Sequence, residues 1–312
     1  MQRTEAAPMG RTTPVLSTAR ASWLENHMEW LFLVPALAIL LALVLFPVLN
    51  SILFSLNRVE LRPGAVALTP IGLENYERAL TADGTFWKAA QNTAFFVVGV
   101  VIFETLIGLG LALLVSQHPR LRRYLTSLLL IPLVMPPVVI SLTWLTLYDY
   151  RGGVINWALR TLGLSPVQWL SAPNLAMQSV VIADIWHLTP FVFLILLAGL
   201  QALPVEPFEA ADIDGATPWQ KFRDVTLPLL SPVLLVVLLL RTIDGARVFD
   251  KVFVMTGGGP GTSSISMIMY IYRQAFRVLD FGYASAMSVL LLIVLVVLAV
   301  VYVRMVLGRQ SL

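Results

Sequence analysis

The sequence predicts an all-α membrane protein with six transmembrane helices. Hydrophobic residues make up 58% of the 312-residue chain and charged residues 12%, a balance far from that of a soluble domain. Residues 31–49, 124–147 and 283–303 carry no charged side chain. Each run is long enough to cross a bilayer as a helix, which takes about 20 apolar residues. Three further apolar stretches, about 92–116, 175–203 and 227–249, contain polar interruptions but read as spans too. A backbone in lipid must satisfy its own hydrogen bonds, so helices are the form such runs take.

Residues 1–29, with Arg3, Arg11 and Arg20, read as a poorly ordered cytoplasmic tail. They are not read as a cleavable signal, because the apolar run beginning near Trp30 is too long for a signal core and no small-residue cleavage site stands out. The first span is followed by an outer loop over about 57–91, and the second span carries Glu104 alone on an apolar background. A buried interhelical hydrogen bond is the preferred reading of Glu104 over a functional role. The short turn His118 to Arg123 is basic, as cytoplasmic loops are. After the third span comes an outer loop over about 148–174. The aromatic residues of these two loops, among them Tyr76, Trp87, Tyr148 and Trp169, suit either interfacial anchoring or contact with an external partner. Pro35, Pro47, Pro132, Pro136, Pro137 and Pro190 should kink several spans. With both termini inside, Lys and Arg divide ten to nine, Lys251 counting among the nine outside; the outer loops are longer, so charge density favours this orientation.

Cysteine is absent and the three histidines, His27, His118 and His187, are scattered, so neither thiol chemistry nor a metal cluster is expected. No catalytic residue and no nucleic-acid partner is predicted. The glycine-rich turn from Thr256 to Gly261 is not followed by lysine, and Gly-Lys occurs nowhere, so the phosphate-cradling P-loop is missing.

Between the fourth and fifth spans lies an organised polar segment. It reads Glu209-Ala210-Ala211, three residues, Gly215, nine residues, Val225, one residue, Leu227-Pro228. Two short helices at the membrane surface are predicted. Gly215 can close the first in the left-handed conformation. Thr217 can cap the second, with Pro218 at its first position and Gln220 completing a capping box. Trp219, Phe222 and Val225 then recur on one face. A helical knob of this kind is a docking surface; the plainer alternative is an amphipathic interfacial segment.

This spacing resembles the EAA loop of inner-membrane permease subunits of bacterial ABC importers, with Val225 in place of the more usual isoleucine. The flanks resemble carbohydrate-importer permeases of the maltose/trehalose type. They include Ile71-Gly72-Leu73-Glu74-Asn75-Tyr76, Gly199-Leu200 through Pro204, and Arg241 to Asp250 followed by Thr256-Gly257-Gly258-Gly259-Pro260. Phe281-Gly282-Tyr283-Ala284-Ser285-Ala286 completes a resemblance that spans about residues 30–305. It implies a six-helix permease domain over 30–305, a coupling loop at about 204–228 and a cytoplasmic end at 306–312, in the bacterial inner membrane. It further implies that Glu209, Ala210, Ala211, Asp214, Gly215, Ala216, Leu227 and Pro228 couple to ATPase subunits. The implied partners are a second homologous permease, two copies of a cytosolic ATPase, an external sugar-binding protein, a sugar and membrane lipid. ATP and Mg would be bound by the ATPase partners, and this chain would hold no cofactor.

In the resembled family the sugar site lies on the helices flanking the loop, at about mid-membrane depth. Arg241, Asp244, Gly245 and Val248 form one stripe there (i, i+3, i+4, i+7), and Asp184, Leu188 and Phe191 form another. Arg241, Asp244, Arg247 and Asp250 alternate in sign, so the first stripe is either a self-neutralising ladder or a pathway lining. Gly245 would give a sugar close access to the backbone. Phe191 and Trp186 could stack on sugar rings or simply pack. A secondary transporter should show repeats and discontinuous helices, and a membrane enzyme should show clustered acidic or histidine ligands; neither pattern is visible.

Overall fold

The computed structural model describes residue 30 and residues 33–310. The predicted tail, 1–29, and the last two residues of the predicted C-terminal end lie outside these. Contacts divide the chain into two units, Met1–Ser51 and Ile52–Leu312. In the first unit, none of the described residues is buried. All but Trp30 belong to helix α1, Leu33–Ser55, which widens to a π-helical turn at Leu41–Leu45. The last residues of α1, from Ile52, fall in the second unit.

The second unit opens with a feature that the all-helical reading does not contain. Strands β1, Asn57–Arg62, and β2, Ala65–Pro70, pair antiparallel with Arg62 opposite Ala65. Pro63-Gly64 makes the turn. Proline presets φ at its first position, and Gly64 takes φ +75° at its second. Asn75, on the short helix α2 (Glu74–Glu77), donates to the Ser55 carbonyl at 2.9 Å and to the Asn57 carbonyl at 3.4 Å. The hairpin also lies against the last helix, where a Cβ on Gly282 would come within 2.3 Å of the Asn57 carbonyl oxygen. Only glycine permits that approach.

Helix α3, Gly84–Ser116, starts at Asp83. The Asp83 carboxylate accepts from the Thr85 and Phe86 backbone N–H groups at 2.8 and 3.1 Å, and from the Tyr270 and Tyr283 hydroxyls at 2.5 Å each. Burial pushes this carboxyl up, but the hydrogen bonds outweigh burial and hold it below its ordinary value.

The predicted span at 124–147 is a broken one. Helices α4, Pro119–Val134, and α5, Pro137–Leu147, meet at Met135-Pro136, and the pair is bent by 96°. Two consecutive prolines supply no N–H to continue the first helix, while Pro137 fits the first position of the next. Among the described residues, five helices are long and apolar enough to cross a membrane, or six when this pair counts as one. The short α6, Val154–Thr161, then leads to α7, Ala176–Gln201, the most enclosed span. Helix α8, Glu206–Ile213, precedes α9, Pro218–Ala246. The second short helix predicted at the surface is therefore no separate element. It is the first turns of α9, joined to the span through a π-helical stretch at Lys221–Thr226. Helices α10, Asp250–Met255, and α11, Met267–Arg273, lie beyond the far end of α9, and α12, Phe281–Gln310, closes the fold.

Two apolar clusters form the core. One includes Phe96, Val100, Val180, Ala183, Val248 and Tyr283; the other includes Ala112, Val115, Val192, Phe193, Leu230 and Val237. Along α3 and α7, and from α9 to Val248 just beyond its end, the chain passes from one cluster to the other through a buried charged residue: Glu104, Asp184 and Arg241.

Among the described residues, the α3–α7 pair makes the most extensive helix contact, and it closes at Gly108. A Cβ there would sit 2.8 Å from Val192 Cγ1 and 3.1 Å from the Phe193 backbone nitrogen, whereas Gly110 has nothing within 4 Å. We expect Gly108→Val to cost about 1–3 kcal/mol by overpacking. Gly110→Val should be near neutral. Thermal unfolding of the two variants in detergent, compared side by side, checks this; equal midpoints would refute the close-packing role.

Candidate functional site: a buried charge cluster, a cavity and a coupling knob

Arg241 is 1% exposed and follows a charge-free run of α9 from Leu227 to Leu240. Its Nε donates to Glu104 Oε2 at 2.5 Å and its Nη2 to Glu104 Oε1 at 3.1 Å. The same Nη2 donates to Asp184 Oδ2 at 2.8 Å, and Nη1 donates to Asp244 Oδ2 at 2.5 Å. The Lys251 ammonium takes the other Asp184 oxygen. The fork of a guanidinium suits this two-point hold on a carboxylate. Glu104, Asp184, Arg241 and Lys251 are all buried and sum to zero charge. They tie α3, α7, α9 and α10 at one level. The interhelical bond expected of Glu104 is present, in the form of an ion pair.

A cavity of about 270 Å³ opens beside this cluster. Of the predicted pathway residues, Asp184, Leu188, Asp244, Gly245 and Val248 line it. Arg241 and Phe191 are not among its lining residues. Arg241 is held in the charge cluster, so its geometry is that of a buried counter-ion rather than a pathway surface. Phe191 packs against the second apolar cluster. Gly245 borders the cavity, but a Cβ on it would meet Val100 and Val97 of α3 at 3.3 and 3.4 Å. Its missing side chain thus serves helix packing and does not open backbone to a ligand. Asp244, with 64% of its side chain exposed, joins the cluster to the open space. His187 lines the cavity, and its buried Nδ1 has no hydrogen-bond partner among the described residues. Trp186 is exposed and meets Trp144 edge-on, with ring centroids 6.0 Å apart.

Lys251 is the member that sequence reasoning missed, because its neighbourhood reads as an outer loop. A signal did exist. Glu104 and Asp184 against Arg241 alone leave one uncompensated negative charge in the membrane, and such a charge calls for a further cation.

The coupling segment forms an exposed knob. Helix α8 carries Glu206 and Glu209 in its first turn, where the helix dipole favours negative charge. It ends at Asp214, Gly215 takes φ +71°, and the Ala216 N–H donates to the Ala211 carbonyl at 2.9 Å. Thr217 and Gln220 form the predicted capping box. Lys221 pairs with Asp212 across the turn. Glu209, Ala210, Asp214, Gly215 and Pro228 are exposed, while Ala211, Ala216 and Leu227 are half-buried. Ile213 and Trp219 stand out at 87% and 65% exposure.

Residues 104–309 match the family described as binding-protein-dependent transport system inner membrane component. The chain is 40% identical over 293 residues to the trehalose/maltose transport system permease protein MalF of Thermococcus litoralis, covering 92% of this chain and 96% of that one. It is 32% identical over 294 residues to the trehalose transport system permease protein SugA of Mycobacterium tuberculosis, covering 94% and 93%. In fold it is similar to a chain of a bacterial ABC transporter involved in the import of the acidic polysaccharide alginate. The TM-score is 0.79 at 21% identity, over 92% of this chain and 98% of that one.

Arg241→Met should leave two buried carboxylates facing one lysine and cost about 3–5 kcal/mol. Adding Glu104→Gln restores neutrality, so the double variant should be more stable than Arg241→Met alone. Midpoints of thermal unfolding in detergent for the two chains decide the point. A double variant less stable than the single would show that charge balance is not the constraint.

Proposed function

The chain belongs to the family of binding-protein-dependent transport system inner membrane components, and from that membership we propose how it works. It is the membrane-spanning permease subunit of an ATP-driven sugar importer. It forms half of a translocation pathway and couples that pathway to cytosolic ATPase subunits through the loop at about 204–228. The observation that carries this reading is the exposed α8 knob joined by an uninterrupted helix, α9, to the buried charge cluster. A force applied at Glu209 passes through Gly215 and the capped start of α9 towards Arg241 without crossing a flexible loop.

A sugar as substrate is supported by the names of the relatives, which include trehalose, maltose and lactose permeases. The external sugar-binding protein sets which sugar is delivered. ATP and Mg are held by two copies of the ATPase partner, because this chain has no Gly-Lys and so no P-loop. A second permease encloses the other side of the pathway and shields the charged cavity from lipid. The subunit sits in the cytoplasmic membrane with both termini and the coupling knob on the cytosolic side. The cavity residues Asp184, Leu188, Asp244 and Val248 contribute to the pathway. The complex alternates between outward- and inward-facing states, and binding at the partners shifts that equilibrium.

Glu209→Lys reverses the charge on the knob, and Gly215→Phe forces a bulky residue into φ +71°. Either variant should insert and assemble, yet lose uptake and leave ATP hydrolysis unresponsive to the loaded binding protein. The measurements are sugar uptake and ATP hydrolysis in proteoliposomes holding the full complex. Normal uptake by either variant would overturn the docking role. The chain alone should neither hydrolyse ATP nor accumulate sugar; accumulation driven by a proton or sodium gradient would favour a secondary transporter instead.

A further inference from the structure

We propose that a ladder of aromatic rings beyond the far end of α9 is a sugar-binding track leading into the charged cavity, a proposal that rests on the sugar-permease reading. Phe249 stacks on Phe253 with ring centroids 5.2 Å apart, and both contact Tyr272, at 5.2 and 5.6 Å. Tyr272 meets Phe276 at 5.3 Å, and Phe276 meets Phe281 at 6.4 Å. The five rings run continuously from α10 across α11 to the start of α12. None is buried, and Phe253 and Phe276 are 40% and 63% exposed. The ladder reaches the cavity through Phe249, which is one of its lining residues.

Two further residues at the foot of the ladder distinguish it from a lipid-facing surface. Arg247 and Asp250 line the same cavity and are exposed, and their side chains form no ion pair or hydrogen bond among the described residues. The exposed face of α12 shows what this chain presents where aliphatic packing suffices: Leu292, Ile293, Val294, Val296 and Val297, without a charge. Rings beside unpaired charges make a different surface. Aromatic faces receive the apolar C–H faces of a pyranose, and the charged groups exchange hydrogen bonds with its hydroxyl rim. A sugar fits both halves of that chemistry.

The test uses the complete complex in proteoliposomes, with trehalose, maltose and lactose as probes. Phe253→Leu with Phe276→Leu removes the ring faces while keeping apolar bulk; Phe253→Trp with Phe276→Trp keeps ring faces. At saturating loaded binding protein, the leucine pair should lower the uptake rate about tenfold, matching the loss of two stacking contacts. The tryptophan pair should stay within about twofold of the parent. Complex yield and basal ATP hydrolysis should match the parent in both. Unchanged uptake by the leucine pair would overturn the track. So would a drop in its complex yield, which would make the ladder a contact with the second permease. A parent complex that imports no sugar with its own loaded binding protein would overturn the sugar-permease reading itself, and this inference with it.

Discussion

The hold of Arg241 on Glu104 and Asp184, closed by Lys251, is the constraint around which the rest of the second unit is arranged. A buried ion network contributes little net stability, since desolvation offsets most of the Coulomb attraction. Its effect is on register. Sliding α3, α7 or α9 by one turn would separate a charge from its partner in a low-dielectric setting. The two apolar clusters tolerate small shifts, but the layer between them does not. Bare approaches such as Gly108 against Val192 then become possible, because the helices already sit at the correct level.

The exposed α8 knob and the cavity are joined through the same helix. Helix α9 begins with the Thr217–Gln220 capping box at the surface and carries Arg241, Asp244 and Gly245 in its last turns. The widened turn at Lys221–Thr226 lies between the two. A π-helical turn is a place where a helix can change register by one residue. In the proposed mechanism, displacement of α8 reaches the charge layer as rotation or translation of one rod.

Much of this was legible in the sequence, and the exceptions have physical causes. Spans such as Phe281–Met305 declare themselves by length and apolarity, which a bilayer enforces. Gly215 and the Thr217–Gln220 box are local signals, and both are realised. The hairpin at residues 57–70 was missed because its strands bury only Asn57 and Val59 and so show little alternation. The break at Met135-Pro136 lies inside a charge-free run that hydropathy reads as one span, though its prolines were visible. Lys251 and the packing role of Gly245 depend on which helices meet, and no local pattern carries that. The pathway stripes share this limit: periodicity gives a helix face, not what the face touches.

The broken span has a consequence for hydration. Two prolines in succession leave backbone carbonyls at the end of α4 without helical donors, in the interior of a membrane segment. Irregular backbone at that depth is tolerated only against protein or beside water. Pro137, the first residue after the break, lines the cavity that also holds His187 and Asp244. The cavity mixes apolar walls with Asp184, His187, Asp244, Arg247 and Asp250, and at about 270 Å³ it has room for several water molecules. Water entering there would raise the local dielectric around Asp184 and Lys251 and lower the cost of keeping them charged. The proline break thus leaves one flank of the charge layer facing an open cavity, while the apolar clusters cover the others.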